Sequence, residues 1–115
     1  MITTQKAREL ALALPEVEEK DHFGMPSFRL KGKIFMTLQP DINRAMVKLT
    51  LEDQSVFSLS GIYRPVPGGW GRQGATFVDL KVVSKRMFLD SLEQAWVRVA
   101  PKRLRTANPQ VGQPI

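Results

Sequence analysis

The sequence predicts an α+β domain: an antiparallel sheet of about five or six strands, with an N-terminal helix, a short middle helix and a long C-terminal helix. Three observations carry that reading. Apolar residues recur at helical spacing near both ends, they alternate with polar residues between Phe28 and Leu49, and glycine or proline punctuates each change of pattern. A length of 115 residues, 43% of them hydrophobic, suits one core of ordinary size.

Thr3 or Thr4 is placed to cap a helix whose apolar face is Ala7, Leu10, Ala11 and Leu14, and Pro15 ends it. Residues 16–21 are polar and read either as the edge of a first strand or as a connection. Their carboxylates are more simply a solvated turn than a cation site. Gly24 and Pro26 mark a tight change of direction. Residues 27–30 and 33–38 flank Lys31 and Gly32, which predicts a two-residue hairpin turn with glycine at positive φ. After a loop at 39–44 the pattern resumes over 45–49, so this part is an antiparallel meander. Thr50 caps a short helix with Asp53 as its capping-box partner, and Gly61 stops it after Val56, Phe57 and Leu59.

Residues 64–80 are the stretch around which the rest is organised. Residues 65–74 hold too many glycines and prolines for regular structure, whereas residues 75–80 read as a short buried strand. The loop therefore offers Arg64, Trp70 and Arg72 on a backbone that glycine lets approach a ligand. Ser84 caps a longer helix with Phe88, Leu92, Ala95, Trp96 and Val99 on one stripe, where Trp96 is a core residue. Pro101 breaks or restarts that helix, and Lys102, Arg103 and Arg105 form a basic cluster without an acid nearby. Residues 106–115 have the composition of a disordered tail.

The absence of cysteine excludes disulfides, zinc-thiolate sites and thiol nucleophiles. Neither a signal-peptide pattern nor a membrane-spanning apolar run is present, so the expectation is a cytoplasmic protein. Net charge is +6 and is polarised along the chain. Up to His22 acids outnumber bases, so the positive excess lies in the remainder and favours polyanions or acidic small molecules. The polar positions of the meander are mostly basic: Arg29, Lys31, Lys33, Arg44 and Lys48. They read either as a solvated face of a half-buried sheet or as a ligand face.

An enzyme is the least supported class, and no catalytic residue, metal ligand or cofactor is assigned. His22, the single histidine, reads as a packing residue. Asp79, on a strand between Val78 and Leu80, is a structural partner for an arginine if it points inward. Gly68, Gly69, Gly71 and Gly74 lack the lysine and hydroxyl residue that follow in a phosphate-binding loop.

Taken together, His22, Phe23, Gly24, Pro26 and Phe28, the Gly32 and Lys33 that open the next strand, Val47 to Leu49, and Trp96 to Leu104 resemble the MmcQ/YjbR family. The resemblance extends from the first helix to about Leu104, which gives one domain over residues 1–105. It implies an antiparallel sheet packed against helices, a CyaY-like shape similar to bacterial frataxin, and a DNA-binding role. Many members carry a lysine-rich loop and then a tryptophan in the following strand. Here Trp70 lies inside the loop and Phe77 takes the strand position.

Three functions follow. In DNA binding, Arg29, Lys31, Lys33, Arg44 and Lys48, with Arg64 and Arg72, would neutralise phosphates while Trp70 stacks or wedges. In a pocket for a small acidic ligand, Arg64 and Arg72 would be clamps and Trp70 an apolar wall. In a protein-interaction module, Trp70 and Arg72 would be hot-spot residues.

Overall fold

The structure is a computed structural model that describes residues 1–113. Helix α1 (Thr4–Leu12) starts at the Thr3 cap, whose hydroxyl accepts the Lys6 N–H at 2.9 Å. It stops short of Pro15, since the residue before a proline is pushed out of helical dihedrals. The polar stretch after it is an edge strand, β1 (Val17–His22), which pairs antiparallel with β2 (Met25–Leu30). The turn between them is Phe23–Gly24, both at positive φ, so Pro26 sits inside β2 and does not make the turn. Lys31 and Gly32 make the same kind of turn into β3 (Lys33–Gln39). A 3-10 turn at Pro40–Ile42 leads to β4 (Arg44–Lys48). Thr50 caps α2 (Leu51–Ser58), its hydroxyl accepting the Asp53 N–H at 3.1 Å.

The segment expected to be irregular, residues 65–74, is so at 66–68 and 73–74 but not elsewhere. Tyr63–Pro65 is a strand, β5, and Gly69–Arg72 is one helical turn, α3, before β6 (Ala75–Asp79). Pro65 is tolerated because β5 lies at the sheet edge, where a missing N–H breaks no ladder bond. Two glycines serve internal packing instead of ligand approach. A Cβ on Gly71 would overlap the Val66 carbonyl oxygen, and one on Gly74, at φ +105°, would overlap the Leu49 carbonyl oxygen. Ser84 caps α4 (Lys85–Val99), and Pro101 precedes α5 (Lys102–Ala107).

The six strands form one sheet in the order β1-β2-β3-β4-β6-β5, antiparallel throughout. Helix α4 packs on β3 and β4, α1 on β1 and β3, and α2 on β5. Residues directly opposite in a ladder share a face. Phe28, Met36, Val47 and Thr76 are linked in this way on the face turned to the helices, as are Leu38, Ala45, Val78 and Tyr63, and all are buried. One hydrophobic cluster joins them to Phe88, Leu92 and Trp96 of α4 and reaches from Ile2 to Leu104.

Two further expectations change. The cluster at 102–105 does have an acid nearby, since Arg103 lies 3.7 Å from Glu16. The segment expected as a disordered tail lies along α4 as far as it is described: the Gly112 N–H donates to Glu93 at 2.7 Å, and Val111 packs against the core. Pro114 and Ile115 lie outside the described residues.

Candidate functional site

The second face of the sheet carries no helix from α1 or α4. Its membership follows from the register: Ser27, Thr37, Met46, Phe77 and Arg64 lie in one row across β2, β3, β4, β6 and β5, with Gln39, Arg44 and Asp79 in the next. Toward the other end of the strands come Arg29 with Ile34, and Lys48 with Ala75. The middle of this face is apolar. Met25, Ile34, Met46 and Phe77, closed on one side by Val66 and Trp70, line a groove of about 330 Å³ whose polar atoms come from His22, Thr37, Gln39 and Lys48.

Trp70 reaches the groove because α3 is fastened at its base. The Gln54 side-chain amide is buried and donates to the Gly71 carbonyl at 3.0 Å, the Ala75 carbonyl at 3.1 Å and the Thr76 hydroxyl at 3.1 Å. The loop is thereby tied to α2 and β6 while Trp70 stays 65% exposed. Phe77 is the floor between two arginines: the Arg44 guanidinium carbon lies 3.6 Å from its ring centre and that of Arg64 5.5 Å. Cations over an aromatic face are stabilised by the ring quadrupole. Arg44 also donates to the Gln39 side chain at 2.7 Å. Desolvation and then the Arg64 charge push the Arg44 pKa down from its ordinary value. Among the described residues, neither arginine nor Lys48 is in an ion pair.

The eight sequence-derived site residues therefore divide. Arg29, Arg44, Lys48 and Arg64 share the open face, and Trp70 forms one wall of its groove. Lys31 lies in the hairpin turn, where its ammonium pairs with Glu16 at 2.8 Å. Lys33 is opposite Leu30 in the ladder and so belongs to the helix side. Arg72 is exposed on α3 and lines neither the groove nor the cleft that holds Arg64. His22 sits at the groove edge, its ring edge-on to Phe23 at 4.8 Å, while Asp79 accepts the Lys81 N–H at 2.9 Å and makes no ion pair with an arginine among the described residues. Sequence reasoning missed Gln54 and the apolar floor. The signal for the floor was present, because Ile34, Met46 and Phe77 put apolar residues on the second face of strands whose first face already fills the core.

A family model, YjbR, matches residues 12–101. The chain belongs to the YjbR family. The match spans everything from the end of α1 to the proline after α4, so it includes the whole sheet and the groove of this YjbR domain. No curated protein matches the sequence. Among solved structures, the fold is similar to that of Deinococcus radiodurans protein DR2400, described as a DUF419 domain. The TM-score is 0.77 at 17% identity, over 99% of this chain and 91% of that one. At that identity the likeness speaks for the YjbR fold alone. No described helix is long and apolar enough to cross a membrane, and no group of three or more His, Asp or Glu among the described residues is placed to hold a metal ion.

Proposed function

We propose that the protein binds DNA in single-stranded form across the open face of its sheet. The observation that supports this most is the placing of exposed Trp70 and half-buried Phe77 beside Arg44, Lys48 and Arg64, none of which has an acidic partner among the described residues. Single-strand binders combine these two features, since every base has a face to stack and every nucleotide a phosphate to neutralise. A duplex is less suited, because its bases are already stacked and this face carries no helix of a length to enter a major groove.

The test is a fluorescence-anisotropy titration of labelled single-stranded and duplex DNA at several salt concentrations. Single strands should bind more tightly than duplex, and each cation removed by Lys48→Ala or Arg64→Ala should flatten the log-log salt slope by roughly 0.7. Lys33→Ala, on the helix side, should leave the slope unchanged. Binding confined to very low salt and equal in all variants would overturn the proposal.

A further inference from the structure

The groove adjoins a second hollow. Phe77 lines both, with the apolar groove of about 330 Å³ on one side and a cleft of about 180 Å³ on the other, walled by Arg44, Arg64 and Lys81. The groove lies at the small end of the range for ligand pockets, roughly 300–1,000 Å³, which suits one ring system and no more. Its edges carry hydrogen-bonding groups of both kinds, from Thr37, Gln39 and His22, around an apolar interior. The cleft has three cations against one carboxylate, Asp79, which already accepts the Lys81 N–H. Two guanidiniums held beside one ring without a counter-ion repel each other, and a bound anion removes that repulsion.

We propose that groove and cleft together form a subsite for one nucleotide. The base fills the groove between Met46 and Trp70, and the phosphate lies on Arg44 and Arg64 across Phe77. This deepens the strand-binding reading and rests on it. The ligand's defining chemistry is a planar ring joined to a phosphate, whether it arrives as a free mononucleotide or as one unstacked residue of a strand. An apolar ligand without the anion leaves the arginine pair uncompensated, and inorganic phosphate leaves the groove empty.

The emission of Trp70 reports on the groove directly, because the chain's second tryptophan, Trp96, is buried in the core. Adenosine monophosphate, adenosine and inorganic phosphate are titrated separately into the full chain and into Trp70→Phe, Arg64→Ala and Met46→Ala. The monophosphate should quench emission saturably, about tenfold more tightly than adenosine, as expected for charge-assisted hydrogen bonds. Arg64→Ala should remove that advantage, and Trp70→Phe should remove the signal. Arg64 is exposed, so its loss is not expected to disturb folding, and thermal melts of all variants check this. No saturable quenching by the monophosphate, or equal binding of monophosphate and adenosine, would overturn the subsite. If oligonucleotides still bind in that case, the strand-binding reading survives without it. Quenching by the monophosphate with no binding of oligonucleotides would instead support a free-nucleotide site and sink the strand reading.

Discussion

The phenol of Tyr63, the chain's single tyrosine, is buried and shares a hydrogen bond of 2.7 Å with the Ser91 hydroxyl. Burial pushes its pKa well above the ordinary tyrosine value, the Ser91 bond partly opposes this, and Asp90 adds to it. A folded-state pKa raised above the unfolded one gives stability that is complete below the unfolded value and lost as pH rises past it. Stability in urea should therefore fall above about pH 10, and less steeply in Tyr63→Phe. At neutral pH that variant should cost only about 1 kcal/mol, because Ser91 keeps its bond to the Phe88 carbonyl. Identical alkaline limbs in both proteins would refute this. Trp96 is the other large residue whose polar atom is settled at long range, its indole N–H donating to the Pro15 carbonyl at 3.0 Å. Its place in the core was legible from the helical stripe. Its partner, 81 positions away, was not.

At the scale of elements, the segments that fill the core were readable and the one that forms the groove wall was not. Helices α1 and α4 show a helical period because burial on one side selects apolar residues at that spacing, and strands β2, β3 and β4 read as short apolar runs bounded by turn residues. The single turn α3 is too short for any period, and the side chain that ties it down, Gln54, lies 17 positions away from the carbonyl of Gly71 that it holds. Gln54→Leu should cost roughly 1–3 kcal/mol, since it removes the buried amide's bonds to Gly71, Ala75 and Thr76, while the two carbonyls keep the Gly74 and Val66 N–H donors. Gly74→Ala adds a Cβ against the Leu49 carbonyl at a positive φ and should cost about 2–4 kcal/mol. Urea denaturation gives both values, and the native emission of Trp70 should change in each. Wild-type stability in Gln54→Leu would mean that the amide does not hold the loop.

Across the whole molecule, charge is arranged by side. The acids of the N-terminal part meet cations both near and far: Arg8 of α1 pairs with Glu19 at 2.6 Å, and Glu16 joins Lys31 of the β2–β3 turn to Arg103 of α5. These contacts draw off cations at one end of the fold and leave those of the open face without partners. The hydrogen bond from Lys31 is the main cause that lowers the Glu16 pKa below the ordinary carboxylate value; slight desolvation opposes it, and the charges of Lys31 and Arg103 add to it. A depressed folded-state pKa gives stability that is present above the unfolded value and lost as pH falls through the folded one. The melting temperature of the wild type should therefore drop more on acidification than that of Glu16→Gln. The effect should be small because the carboxylate is exposed, and equal drops would refute it.

The sequence by itself determined the α+β class, the helix caps at Thr50 and Ser84 and a first cap at Thr3 or Thr4, the meander, the Lys31–Gly32 turn and the core position of Trp96, because each rests on local sterics or on a short repeat of burial. Only the tertiary structure decided which cations share a face. A strand's alternation says that Arg44 and Met46 point the same way, but not that Phe77 and Arg64 lie beside them or that Lys33 lies on the other side. That depends on register across strands far apart in the chain, and on the backbone contacts of Gly71 and Gly74 that fold the Trp70 turn over the sheet.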